Sequence, residues 1–179
     1  MEKFLKIPVS IVIANDTSVA PVGSADLTTS DPIFSSAAVG DIVVDSSGNY
    51  YLIASIIDGS NVTLTPLGSE PGSVPISSGE SFTLYSASNF QNQIISIDNI
   101  AMVAGSTAPG TSTTINYDAP TSADILTINH IPTPGVNGKH NAVRDIIQGA
   151  MAAALPTSWP QVLSEVSPKP YTVVSVVLS

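Results

Sequence analysis

Apolar and polar positions alternate with a period of two along most of this chain, and that alternation predicts strands. Phe4 to Ile13 reads as the first, with Pro8 marking a strand edge or a bulge. Ile42-Val43-Val44 follows Gly40-Asp41 and turns at Asp45-Ser46-Ser47-Gly48-Asn49. Tyr50 to Ile57 is rich in β-branched and aromatic residues. Asp58-Gly59 is then a tight-hairpin signal, because both residues tolerate the positive φ that such a turn requires. Val62, Leu64 and their threonine neighbours alternate as the returning strand. Leu67 to Gly79 is a loop, and Ser81 to Tyr85 places Phe82 and Leu84 on one face. Short strands with no helix between them predict a small antiparallel sheet or barrel.

The pattern changes near residue 90. Gln93 to Val103 reads as strand, with Ile95, Ile97 and Ile100 turned inward, and Gly105 to Gly110 as loop. Thr113 to Asp118 and Ile125 to Ile131 form a hairpin across Ala119-Pro120-Thr121-Ser122, and Pro132 to Gly138 is a further loop. The period then shifts to that of a helix over Asn141 to Leu155. Ala142, Val143, Ile146, Ile147, Ala150, Met151 and Leu155 share one side, Asn141 is placed as N-cap and Pro156 as the stop. Trp159 to Val166 is expected to add a helical turn or two. Tyr171 to Leu178 is almost continuously apolar and predicts a strand buried on both faces.

The expected fold is therefore mainly β (α+β): a β-sheet domain with one amphipathic helix at about 141–155, plus an inserted small antiparallel β-barrel. Residues 1–10 and 90–179 form the host domain, and 11–89 the inserted module. Charge draws nearly the same line. The chain of 179 residues carries 14 Asp and Glu against 5 Lys and Arg, and all five cations (Lys3, Lys6, Lys139, Arg144, Lys169) lie outside residues 11–138. A net charge of −9 argues against a nucleic-acid partner. No apolar run reaches the length of a membrane helix. With no cysteine, disulfides, thiolate metal sites and cysteine nucleophiles are excluded. Only 11% of residues are charged, under half the usual share, which suits a surface covered by other subunits and also a Ser/Thr-rich secreted domain. The N-terminal Lys3, Lys6 and the apolar Ile7 to Ala14 resemble a signal peptide, but Pro8 and an unfavourable Pro21 after the best cleavage point favour a strand.

Candidate chemistry is sparse. His130 and His140 flank the Pro132–Gly138 loop, and a metal site would draw a further ligand from Asp118, Asp124 or Asp145. Without tight His spacing, the favoured reading is a strand-end His130 and a His140 beside a helix N-terminus. A Ser/His/Asp triad has no Gly-x-Ser-x-Gly elbow to support it, and no glycine-rich phosphate loop is present. Asp41, Asp45 and Asp58 would bind calcium only if their turns converged; turn aspartates more often bond their own backbone. Asn15-Asp16-Thr17 and Asn61-Val62-Thr63 match the glycosylation sequon, a pattern frequent by chance. Trp159 with Tyr50, Tyr51 and Tyr85 would make a sugar-stacking platform, against which packing is favoured. No cofactor and no catalytic residue is expected.

Thr113 to Tyr117, Asp124 to His130 and Ala142 to Ile147, with the opening Phe4-Leu5-Lys6-Ile7-Pro8-Val9, resemble small virion proteins of tailed phages, especially marine and cyanobacterial ones. The resemblance covers residues 1–10 and about 90–179 and is one of pattern, without a chemical motif. Val39 to Val43, Asp58-Gly59, Val62 to Thr65 and Phe82 to Tyr85 resemble a small β-barrel module that recurs in phage structural proteins.

The resemblance implies a non-enzymatic virion protein on the capsid exterior, decorating or cementing it as a homo-oligomer, with a trimer favoured. Its other partner would be the major capsid protein or another virion protein, with the basic side facing the shell and the acidic barrel projecting outward. Phe4, Lys6, Arg144, Trp159 and Tyr171 mark the surface expected to carry subunit contacts. Two alternatives compete with this: a neck, tail or head-fibre component touching a virion protein or host receptor, and a secreted carbohydrate-binding module.

Overall fold

A computed structural model describes residues 3–19, 26–67, 76–106, 110–118, 124–132, 141–156, 163–166 and 171–179. The chain divides into two compact units, Ser10–Phe90 and the pair of segments Met1–Val9 and Gln91–Ser179. The fold is mainly β, with one α-helix among the described residues.

The contiguous unit contains the second part of β1 (Phe4–Val19), then β2 (Asp26–Thr29), β3 (Ile42–Asp45), β4 (Tyr50–Ile56), β5 (Asn61–Leu67) and the first part of β6 (Ser81–Ser96). Its pairing closes on itself in the order β1–β2–β5–β4–β3–β6–β1, a six-stranded barrel. Closure removes the free edges that an open sheet would expose. Alternation fills the interior: Val62 and Leu64 of β5, Phe82 and Leu84 of β6, Tyr51 and Ile53 of β4 all point into one core with Leu27, Phe34, Val43 and Ile76. Phe34, in a single 3-10 turn (Ile33–Ser36), stacks on Phe82 with ring centroids 6.4 Å apart.

The Asp58-Gly59 turn forms, but not by the mechanism expected. The hairpin closes on Asn61, whose carbonyl accepts from Ile57 N and Asp58 N, and Gly59 is absent from the residues with positive φ. Glycine is needed there for close approach. A Cβ on Gly59 would meet Ser35 Oγ at 2.7 Å and Pro32 Cβ at 3.0 Å, while Gly59 O accepts from Phe34 N.

The two-segment unit holds the start of β1, the end of β6, β7 (Ile100–Gly105), β8 (Ser112–Tyr117), β9 (Ile125–His130), α1 (Ala142–Ala154), β10 (Leu163–Glu165) and β11 (Val173–Leu178). Its strand order is β6–β1–β11–β9–β8–β7, with β10 also on β1. β10 and β11 both run parallel to β1, β10 at Phe4–Lys6 and β11 at Val9. Pro8 falls between the two pairings, where a residue without an N–H interrupts the ladder at a change of partner. Leu5, Ile7 and Val9 share the core face with Ile95, Ile97, Ile115, Ile128 and Val173, and α1 closes that core with Val143, Ile147 and Ala154.

Three expectations about elements are corrected, and a fourth holds in position without the expected bond. The strand through residue 90 is continuous as β6, and the break comes at Ile97–Ile100, where Asn99 adopts φ 59°. Residues Leu163–Glu165 are strand and not helix, drawn into pairing with β1. β11 is buried only at its start: Val173 and Val174 are covered, whereas Val177 and Leu178 are exposed. Asn141 sits at the N-cap of α1 but makes no capping bond; its carboxamide oxygen lies against Gly105 of β7, where no Cβ would fit.

Candidate functional site

The barrel's turn aspartates bond their own backbone. Asp41, 2% exposed, accepts from Ala38 N at 2.8 Å with one oxygen and from Ala87 N at 2.8 Å with the other, tying the entry to β3 onto β6. Asp58 accepts from Ser60 N at 2.7 Å and from the Asn61 amide at 2.9 Å, and these bonds lower its pKa. Asp45 is buried and saturated. Ser47 N (2.9 Å) and Asn49 N (2.8 Å) donate to Oδ1, and Asn49 Nδ2 (2.9 Å) and Tyr51 OH (3.1 Å) donate to Oδ2. Burial, reinforced by the Asp45 charge and hydrogen bond, pushes the Tyr51 phenol up to about 12. Among the described residues no three His, Asp or Glu side chains gather into a metal-binding group.

Beside Asp45 lies an open cleft of about 350 Å³, walled by Asn15, Asp16 and Thr17 of β1, Ser46, and Ser81 and Thr83 of β6. Asp16 Oδ1 accepts from Thr17 N at 2.7 Å, whereas Oδ2 is buried with no hydrogen-bond partner among the described residues. Thr83 Oγ1 donates to Asn15 Oδ1 at 2.8 Å, and Ser46 Oγ donates to Glu80 at 3.2 Å. The cleft was not visible in the sequence, because the predicted strand stops at Ile13 and β1 runs on to Val19.

In the two-segment unit the chemistry is that of strand edges. Ser179 N donates to Ile125 O at 2.9 Å and Ile125 N to Ser179 O at 3.0 Å, so alternation turns the N–H and C=O of Ser175 and Val177 toward β9 and those of Val176 and Leu178 away from it. β11 meets β1 only at Val173, and no described strand pairs with the outer edge of Ser175–Leu178. Val177 is 50% and Leu178 64% exposed. The outer edge of β7 is different, since Gln148 Nε2 of α1 reaches Val103 O at 3.5 Å and Asn141 covers Gly105.

The residues expected to mark subunit contacts are spread over this unit. Phe4 and Lys6 share the half-buried face of β1, and Lys6 faces Glu165 at 3.6 Å. Arg144 is bound to its neighbour Asp145 at 2.7 Å, and Tyr171 packs against the core. Trp159, His140, Lys139 and Lys169 lie outside the described residues. Lys3 does not contribute to a basic face: it is buried and spans to the C-terminus of α1, donating to Ala154 O at 2.9 Å and to Leu155 O. His130 is 1% exposed, with Nδ1 2.9 Å from Ile131 O and Nε2 3.5 Å from Thr113 Oγ1, and burial lowers its pKa. Tyr50 and Tyr51 are buried, so neither can offer an exposed ring to a sugar. Among the described residues no helix is long and apolar enough to cross a membrane.

Comparison with protein-family models, curated proteins and solved structures finds no match to this chain.

Proposed function

We propose that the chain is a non-enzymatic structural protein of a tailed-phage virion that decorates or cements the capsid through subunit contacts. The favoured assembly is a homotrimer on the capsid exterior, with the major capsid protein or another virion protein as its second partner. The observation that carries this reading is the outer edge of β11. Isolated soluble domains guard such an edge with lysine, proline, charge or a covering element. Val173 to Ser179 has neither charge nor proline, and its exposed end is apolar. An added strand would satisfy the outward N–H and C=O groups of Val176 and Leu178 and bury Val177 and Leu178 at about 25 cal/mol per Å².

The low overall charge supports the same reading, since charged residues are depleted at interface cores. So does the resemblance carried by Phe4–Val9, Thr113–Tyr117, Asp124–His130 and Ala142–Ile147. A neck, tail or head-fibre position would use the same contact chemistry and differ in its location on the particle. Light scattering of the purified chain tests the assembly: the proposal expects a mass near three times 18.4 kDa, and a monomer at all concentrations would count against it.

A further inference from the structure

We propose, resting on the trimer reading above, that the strand added to β11 is the β6 edge of the next copy, residues 91–94, so that the ring closes head to tail. A twofold axis can set β11 against β11, but a threefold ring joins two different surfaces at every contact. The outer edge of β11 must therefore meet an unlike edge of its neighbour. In the two-segment unit the other described edges are those of β6, β7 and β10. α1 lies against both β7 and β10, and Gln148 and Asn141 sit on the outer edge of β7. That leaves β6.

β6 has β1 on one side and β3 on the other, and β3 reaches it only at Phe82–Tyr85. Gln91, Asn92, Gln93 and Ile94 are all exposed, and no described strand runs along their outer side. Ile97 N donates to Lys3 O at 3.0 Å, so alternation turns the N–H and C=O of Ile94 and Ser96 away from β1. Tyr117 OH already donates to Ser96 O at 2.9 Å, and the open stretch begins beyond it, at Ile94. The two edges match in kind. Residues 91–94 carry neither charge nor proline, the devices that keep an edge strand from pairing, and the same holds for Val173 to Ser179. Each presents exposed aliphatic side chains: Ile94 is 61% exposed, beside 50% for Val177 and 64% for Leu178. Pairing would bond the outward backbone groups of Ile94 to those of Val176 and Leu178 and would cover these side chains as cross-strand neighbours.

The chain has no cysteine, so introduced thiols report contacts without background. Val177→Cys and Ile94→Cys chains are prepared separately and co-expressed, treated with a short bis-maleimide and run on a denaturing gel. The proposal expects a two-chain product from the co-expressed pair and none from either variant alone. A two-chain product from Val177→Cys alone means that β11 meets β11, and overturns the proposal. No product from the pair, with a light-scattering mass still near three times 18.4 kDa, overturns it and leaves the trimer standing. A monomeric mass for the unaltered chain removes the trimer and this proposal together. Ile94→Lys supplies a second test, since it guards the β6 edge at an exposed position. It should reduce the mass to 18.4 kDa, whereas Met102→Lys, exposed on β7, should leave the trimer intact. A trimer that survives Ile94→Lys overturns the proposal even if the thiol variants fail to fold.

Discussion

The ammonium of Lys3 donates to the carbonyl of Ala154, 151 residues further along the chain, at 2.9 Å. Ala154 ends the one described α-helix, whose last turn has no basic residue of its own, and Leu155 O accepts from the same lysine. A helix C-terminus exposes carbonyls without intrahelical donors and carries partial negative charge. Lys3 satisfies both needs from the position just before β1, two residues ahead of the core-facing Leu5, Ile7 and Val9 alternation. Replacing it by Met keeps the aliphatic stem and removes the donors. Lys3→Met is expected to cost about 2 kcal/mol of unfolding free energy, the range for a charged hydrogen bond. Urea denaturation of the full chain checks this, and the loss should appear in the transition that reports α1.

A second prediction concerns Tyr51. Its phenol is raised to about 12 by burial first and by Asp45 second. A folded-state pKa above the ordinary 10.0 means stability that is complete below about pH 10 and lost as pH rises through 12. Asp45→Asn removes the carboxylate charge, so the phenol should titrate lower than about 12, while burial still holds it above 10.0. Ultraviolet phenolate absorbance during alkaline titration reads the change directly. The same substitution leaves the Ser47 and Asn49 backbone donors with a neutral acceptor and should destabilise the barrel by about 1–2 kcal/mol.

A third follows from His130. Burial depresses its pKa below the ordinary 6.5, so the unfolded chain binds a proton that the folded chain refuses. The contribution of neutral His130 is complete above 6.5 and is lost as pH falls through the lower folded value. Unfolding free energies measured at about pH 8 and about pH 5.5 should show this decline. In His130→Gln the part of the slope above the carboxylate range should disappear.

A fourth tests the β11 edge. A lysine on an edge strand is a common guard against pairing with another chain. Val177→Lys places one where the side chain is already half exposed, at little cost to the fold. On the proposed trimer reading, the variant should keep its circular dichroism and scatter light as a monomer.

Much of the fold is legible in the residues, and the reasons differ element by element. Val62 and Leu64, Phe82 and Leu84, and Ile95 and Ile97 are buried in the alternation their spacing predicts, because one side of each strand must meet a core. α1 shows its helical period in the same way, with Val143, Ile147 and Ala154 buried. What was not legible depends on partners distant in sequence. Leu163–Glu165 has too short a pattern to declare itself, and becomes strand because β1 offers an edge to it. Leu155, counted on the apolar face of the helix, lies just past its end and is 56% exposed. The length of β1 was hidden because Asn15-Asp16-Thr17 is polar, and with it went the cleft those residues line. Gly59 was correctly placed in a turn for the wrong physical reason, since its role is set by Pro32 and Ser35 across the fold.

The proposed function is binding to a phage particle. Mass spectrometry and cryo-electron microscopy of purified parent virions test it most directly. The account predicts the chain in stoichiometric copies on the capsid exterior, in contact with its own copies and with the shell. Particles that lack the chain altogether would contradict it.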